Sequence, residues 1–267
     1  MANPRVSVVI LTKGEAPAVV RSLESQTLKD FEIIFAKEKG IVRAMNTALH
    51  NAKGEIIVRV DDDVEMPERW LEELVEPFNN PEVAGVTGPT LVPTSRRKYR
   101  DSIRLAENPN WFLRWLYDGN EFKPGGIRKC GCVSYDSNYE ERFIGYPRKW
   151  KYSTPDHLEG TNWAMRKNVV LLVGGFDEKF DGVSEWFDTD VEAKAKKLGY
   201  RLVYNPQAYL YHLLEQGPTY HERFDGWGRI KNWLRYHTRH SRFHWKMVIY
   251  LTVWIGYFAW KRCQKSR

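Results

Sequence analysis

Four short β-branched runs separated by stretches of helical periodicity constrain this chain more than any other feature. "VSVVIL" from Val6 is followed by Val19, Val20 and Leu23, and "FEIIF" from Phe31 by Ile41, Met45, Ala48 and Leu49. "EIIVRV" from Glu55 is followed by Trp70, Leu71, Leu74, Val75 and Phe78, and "VAGVTG" closes the series before Pro93. Strands joined through helices need crossover connections, which predicts an α/β fold with a largely parallel sheet and helices on its faces. Ligands of such sheets sit outside the carboxyl ends of the strands.

The third run ends at such an edge in Asp61, Asp62 and Asp63. One aspartate would serve as a helix cap, but three adjacent like charges favour a divalent cation, and oxygen ligands suit Mg2+ or Mn2+ and phosphate chemistry. Pro67 and Glu68 fit the first turn of the next helix, which puts the aspartates in a strand-to-helix loop. Further on, Val191, Ala195 and Leu198 mark one face of a short helix closed by Gly199, with Asp188 and Asp190 at its N-terminus. Capping alone accounts for an aspartate there, stabilised by roughly 0.3–1 kcal/mol. The same field keeps a carboxylate ionised, as a general base requires. His212, ending "AYLYH", fits a core ring or an imidazole metal ligand equally well.

Disorder is excluded for a 267-residue chain with 42% hydrophobic and 14% aromatic residues. Cys130, Cys132 and Cys263 form no paired framework, and the first apolar stretch is too short for a signal peptide, so a reducing, cytoplasmic setting is expected. The net charge of +7 is uneven: residues 221–267 hold eleven Lys or Arg against two acids. Lys231, Arg235, Arg239, Arg242 and Lys246 recur at helical spacing, and "MVIYLTVWIGYFAW", 247–260, is apolar but shorter than the roughly 20 residues a membrane span needs. A helix closing the core, a nucleic-acid arm and an interfacial anchor on an anionic membrane are the three readings. The apolar run speaks against nucleic acid, and the other two stay open.

Taken in order, "VSVVILTKGE", "SQTLKDFEII", "AMNTALHNAKGEIIVRVDDDVEMPERWLEEL", "GTNWAMRK", "GGFDEKF", "FDTDVEAKAKKLGY" and "YNPQAYLYH" resemble glycosyltransferase family 2, inverting nucleotide-sugar enzymes of the GT-A fold. The resemblance implies a Rossmann-like catalytic domain over 1–220, with a nucleotide-binding half (1–93), an irregular cover (94–158) and an acceptor and catalytic-base half (159–220). A basic helical tail (221–267) follows. It makes Asp61 and Asp63 the outer aspartates of an Asp-X-Asp motif for metal and nucleotide, with Asp62 reaching ribose or metal. It makes Asp188 the catalytic base and His212 a residue near the metal or diphosphate.

By the same resemblance Thr12 and Glu15 touch the nucleotide, Arg43 and Asn46 contact base or phosphate, and Arg166 falls near the donor sugar. Glu38 stands where the family's second-strand loop reads the base. The resemblance implies Mn2+ or Mg2+ and a UDP- or GDP-sugar; the tail's anchor reading adds an anionic membrane, on its inner face, and with it a glycan or polyprenyl-linked acceptor, with no nucleic acid. A basic non-enzymatic adaptor and a sugar nucleotidyltransferase share parts of the pattern. The latter wants a glycine-rich phosphate loop, and "LTKGEAPAVV" offers one glycine.

Overall fold

The computed structural model describes residues 3–91, 110–116, 125–133, 152–180, 185–213 and 226–265. The alternating runs become β1 (Val6–Leu11), β2 (Phe31–Ala36), β3 (Ile56–Asp61) and β5 (Val83–Thr87), interleaved with α1 (Pro17–Glu24), α2 (Ile41–Asn51) and α3 (Trp70–Val75). β1 pairs in parallel with β2 and β3, so that Leu11, Ala36 and Asp61 end in register and three loops emerge along one rim. Burial of nearly every residue of β1 and β3 explains why these runs, Ser7, Arg59 and Asp61 apart, are apolar and do not alternate.

Periodicity does not reveal β7 (Trp163–Arg166), which enters antiparallel between β3 and β5 and is followed by α5 (Lys167–Leu172). With β8 (Arg201–Tyr204) parallel to β5, the sheet order is β2-β1-β3-β7-β5-β8. A second sheet joins β4 (Val64–Glu65), β9 (Leu210–His212) and β6 (Thr90–Leu91) in the order β4-β9-β6. Gly88 lets the backbones meet there, since a Cβ on it would lie 1.9 Å from the Ala208 carbonyl oxygen.

One face of the main sheet packs on α1 and α3 around Val8, Ile10, Val58, Leu71 and Leu74. The other face packs on α2 and on α6 (Phe187–Lys197) around Met45, Ile57, Trp163, Phe187 and Val191. Gly199, at φ 92°, closes α6 as expected, but Leu198 lies past the last turn and is exposed. Most of 94–158 lies outside the described residues, which there include α4 (Trp111–Leu116).

The tail forms α7 (Gly226–His240) and α8 (Trp245–Lys265). α7 docks on the domain through Ile230, Trp233 and Tyr236, all buried. Two residues of its basic stripe turn to the domain: Arg235 bonds the Lys179 carbonyl, and Arg239 pairs with Asp177 at 2.9 Å, while Lys231 stays exposed. Asp190, completely buried, faces His240 and Lys194 at 2.7 Å each. Burial alone would raise its pKa, but these two hydrogen bonds outweigh it and hold Asp190 at about 2. Of the readings open for the tail, closure of the core therefore describes α7.

His237 makes this docking acid-sensitive. Burial pushes its pKa down to about 4, reinforced by His240 and opposed by its bond to the Gly131 carbonyl. The folded ring stays neutral while the unfolded ring protonates near its usual value, so the stabilisation is complete above about pH 6.5 and is lost as pH falls toward 4. Urea unfolding should record a loss on the order of 3 kcal/mol across that window, and His237→Gln should flatten the dependence.

Candidate active site

β3 carries Asp61 to the rim, where the main sheet runs directly into the small one. Asp62 and Asp63 form a two-residue turn between β3 and β4, not the expected strand-to-helix loop, because α3 begins only at Trp70, three residues beyond Pro67. β9 pairs antiparallel with β4, opposing His212 to Val64, and the Leu213 N–H donates to the Asp63 carbonyl at 2.9 Å. This ribbon holds the His212 Nε2 3.1 Å from Asp63 Oδ1. One ligand atom each from Asp61, Asp63 and His212 lies within 4.8 Å of the others.

Asp61 is further fixed by the Thr161 hydroxyl, which donates to Oδ2 at 2.8 Å. Burial pushes the Asp62 pKa up; a hydrogen bond from Thr12 opposes this, and the charges of Asp63 and Asp61 reinforce it. Thr12 is buried just after β1, and its bond to Asp62 ties the first loop to the aspartates. Two carboxylates and an imidazole, crowded by a third carboxylate, form a donor set that fits Mn2+ or Mg2+, whose ligands sit at about 2.1 Å.

Asp188 occupies the second position of α6. Its Oδ2 accepts from Arg59 Nη1 at 2.8 Å and its Oδ1 from the Thr189 N–H at 2.8 Å. Arg59 is buried in mid-strand with its guanidinium 5.1 Å from the centroid of the Phe187 ring. Arg59 and Asp61 alternate on one face of β3, about 7 Å apart along the strand. The turn beside them closes the arrangement: a Cβ on Gly160 would lie 3.0 Å from both Asp188 Oδ2 and Arg59 Nη2, while the next residue, Thr161, holds Asp61. Asp188 and the aspartate cluster thus border one short turn.

Glu192, one helical turn below Asp188, holds that turn at both ends. It accepts from the Leu158 N–H at 3.0 Å and from Trp163 Nε1 at 2.8 Å. Burial, reinforced by the charge of Asp188, pushes its pKa well up against those donors and Lys196. Trp186, just before α6, is the one described non-glycine residue at positive φ, 74°. The cost of such a backbone is offset by packing, since its ring lies 4.6 Å from that of Tyr236 on α7.

The other expected residues divide. Glu15 and Glu38 are exposed on the loops after β1 and β2, and Arg43 is exposed in the first turn of α2, all on the aspartate rim. Asn46 instead joins α2 to the segment before α6, bonding the Phe176 carbonyl at 2.8 Å and its N–H at 3.0 Å. Arg166 pairs with Ile56 at the far end of β3, and its guanidinium bonds the carbonyls of Val83, Phe78 and Asn80. Three backbone acceptors thus anchor Arg166 at the opposite end of the strand from Asp61. Arg59, Thr161 and Glu192 lie inside stretches that carry the family resemblance, and Trp186 just before one, yet none was singled out for a role; the one visible signal was an arginine inside an apolar strand.

A sheet order with an antiparallel central strand, and a carboxylate cluster on the ribbon leaving it, define a glycosyltransferase of the GT-A fold. The chain belongs to glycosyltransferase family 2: the family model described as Glycosyl transferase family 2 matches residues 16–170. It is 28% identical over 207 residues to the probable N-acetylgalactosaminyltransferase 8 of Caenorhabditis elegans, covering 72% of this chain and 42% of that protein. It is 26% identical over 204 residues to the glucosyl-dolichyl phosphate glucuronosyltransferase of Haloferax volcanii, covering 71% and 51%. The chain thus spans about half the length of these relatives, or less.

Among solved structures, GalNAc-T7 with UDP, GalNAc and Mn2+ superposes with a TM-score of 0.59 at 14% identity, covering 88% of this chain and 48% of that one. The mannosyltransferase PcManGT of Pyrobaculum calidifontis, in complex with GDP-Man and Mn2+, gives 0.50 at 17%, covering 94% and 68%. These two likenesses speak to the fold.

Glu192→Ala leaves two buried N–H groups without acceptors, so chemical denaturation should show a loss of roughly 2 kcal/mol or more. Glu192→Gln, which keeps one acceptor, should fall between the variant and the wild type.

Proposed function

We propose that the protein transfers a sugar, with inversion, from a UDP- or GDP-sugar to an acceptor hydroxyl. The observation that carries this is the convergence of Asp61, Asp63 and His212 within 4.8 Å, beside a turn that also borders Asp188. In this reading Asp61, Asp63 and His212 hold Mn2+ or Mg2+, which when bound neutralises charge on the departing diphosphate. Asp62 is positioned by Thr12 toward the ribose or the cation. Glu15, Glu38 and Arg43 line the rim where the base and phosphates lie.

Asp188 takes the proton from the acceptor oxygen as that oxygen attacks the anomeric carbon and the bond to the diphosphate breaks. The bonds from Arg59 and Thr189 orient the carboxylate and leave it further lone pairs for that proton. A glycan or polyprenyl-linked acceptor is the partner this assigns, and the name of the Haloferax relative, which acts on a dolichyl-phosphate-linked glucose, supports the second.

Screening UDP-, GDP- and dTDP-sugars for manganese-dependent thermal stabilisation tests the donor. One nucleotide class should raise the melting temperature only with the ion present, and Asp61→Asn with Asp63→Asn should abolish the shift. Asp188→Asn, which leaves Arg59 without its counter-charge, should start from a lower melting temperature, keep the ion-dependent shift, and lower the transfer rate by roughly 10²- to 10⁴-fold, the usual contribution of a general base. Normal turnover by Asp188→Asn would remove Asp188 from the role.

A further inference from the structure

The tail has two faces with opposite fates. α7 and the start of α8 face inward, with Met247 and Tyr250 buried and Lys246 donating to the Trp115 carbonyl at 2.7 Å. The outward stripe of α8 runs through Trp245, Val248, Thr252 and Ile255, all exposed, and beyond Ile255 the helix is exposed on several sides. Trp245 is 52% exposed and Trp260 57%, while Phe243, in the linker before α8, is 77% exposed. α4 extends the patch: its Trp115 ring lies 5.4 Å from that of Trp245, and Trp111, one turn earlier, is 77% exposed. So many exposed large apolar side chains side by side mark an interaction surface.

We infer that this α4–α8 face docks the protein on a membrane leaflet bearing anionic headgroups. Charge selects the occupant. Neither α4 nor α8 contains an acid, and exposed Arg114, Arg242 and Arg262 surround the apolar stripe. Like charge from Arg114, Arg242 and Arg262 on both copies opposes pairing with a second copy through the same face and favours a negative surface.

Among the described residues no helix is long and apolar enough to cross a membrane. The fourteen apolar residues 247–260 extend about 21 Å, short of the roughly 30 Å hydrocarbon core. Basic residues stand at both ends of that run, exposed Arg242 before it and Lys261 and Arg262 after it. A spanning helix would place its two ends at opposite surfaces, whereas a helix lying on one leaflet keeps both at the same layer of headgroups. Aromatic rings along the exposed side suit the depth just below that layer. The stripe is built from side chains outside the aspartate site, so the inference stands independently of the sugar-transfer reading.

The test is flotation of the full chain with phosphatidylcholine vesicles made with and without phosphatidylglycerol, together with quenching of tryptophan fluorescence by brominated lipid. The protein should float with the phosphatidylglycerol vesicles, lose that binding as salt rises, and be quenched. Ile255→Glu and Trp260→Glu, on exposed positions, should each weaken binding roughly tenfold with an unchanged melting temperature. Equal binding to neutral vesicles, no binding to either, or undiminished binding by both variants would overturn the inference, as would a dimer that the same variants dissociate without vesicle binding. Asp188→Asn should float like the wild type, which separates this result from any failure of the catalytic assignment.

Discussion

An arginine in the middle of a buried strand is costly unless its charge is met, and in this fold the charge that meets Arg59 is Asp188. Removing water from both groups costs several kcal/mol per ion, recovered only when the geometry is close and the remaining donors and acceptors are engaged. Here the carboxylate also accepts from the Thr189 N–H, the guanidinium rests on the Phe187 ring, and Gly160 leaves no side chain between them. The pair therefore fixes the first turn of α6 to a single register on β3, two residues from Asp61. Without it, the second carboxylate would have no reason to stand at the mouth of this particular strand.

The turn from Leu158 to Trp163 converts that one contact into a rigid site. Glu192 holds both ends, and the Thr87 hydroxyl donates to the Asn162 carbonyl at 2.6 Å while accepting from the Glu159 N–H at 3.1 Å. The Asn162 side chain donates to the Ala208 carbonyl at 2.7 Å and accepts from Trp70 Nε1 at 3.0 Å, which links α3 to the small sheet. A network satisfied at this many points has few alternative arrangements, so Thr161 and Gly160 meet Asp61 and Asp188 already in place. The exposed rim residues Glu15, Glu38 and Arg43 carry no such network, which suits groups that adjust to a ligand.

How much of this was legible in the sequence follows from the range of each interaction. β1, β2, β3, β5 and their helices announce themselves because their burial is written into a local period, and the aspartates because three like charges at a strand end need an external explanation. β7 is hidden, since four residues between a turn and a helix carry no period, yet it is the strand that brings Gly160 and Thr161 to the site. The anchorage of Arg166 and Asn46 is hidden for a related reason: their partners are backbone atoms about eighty-five and 130 positions away, which no local pattern encodes. Arg59 was visible as an anomaly, but its meaning depended on a carboxylate 129 residues downstream.

The tail completes the site instead of merely following it. Trp186 enters α6 with a left-handed backbone that costs energy for any residue with a side chain, and the ring of Tyr236 on α7 lies against it. His237 packs on the same ring at 5.0 Å and bonds the Gly131 carbonyl at 2.8 Å, so the described part of the cover is tied to the same helix. Asp190, two residues beyond Asp188, secures the other end of α7 through His240 and Arg239. A helix held at these points sets the entry angle of α6 and hence the direction of the Asp188 carboxylate. The inward face of the tail thus belongs to the chemistry of the site, which leaves α8 as the part whose apolar stripe has another surface to meet.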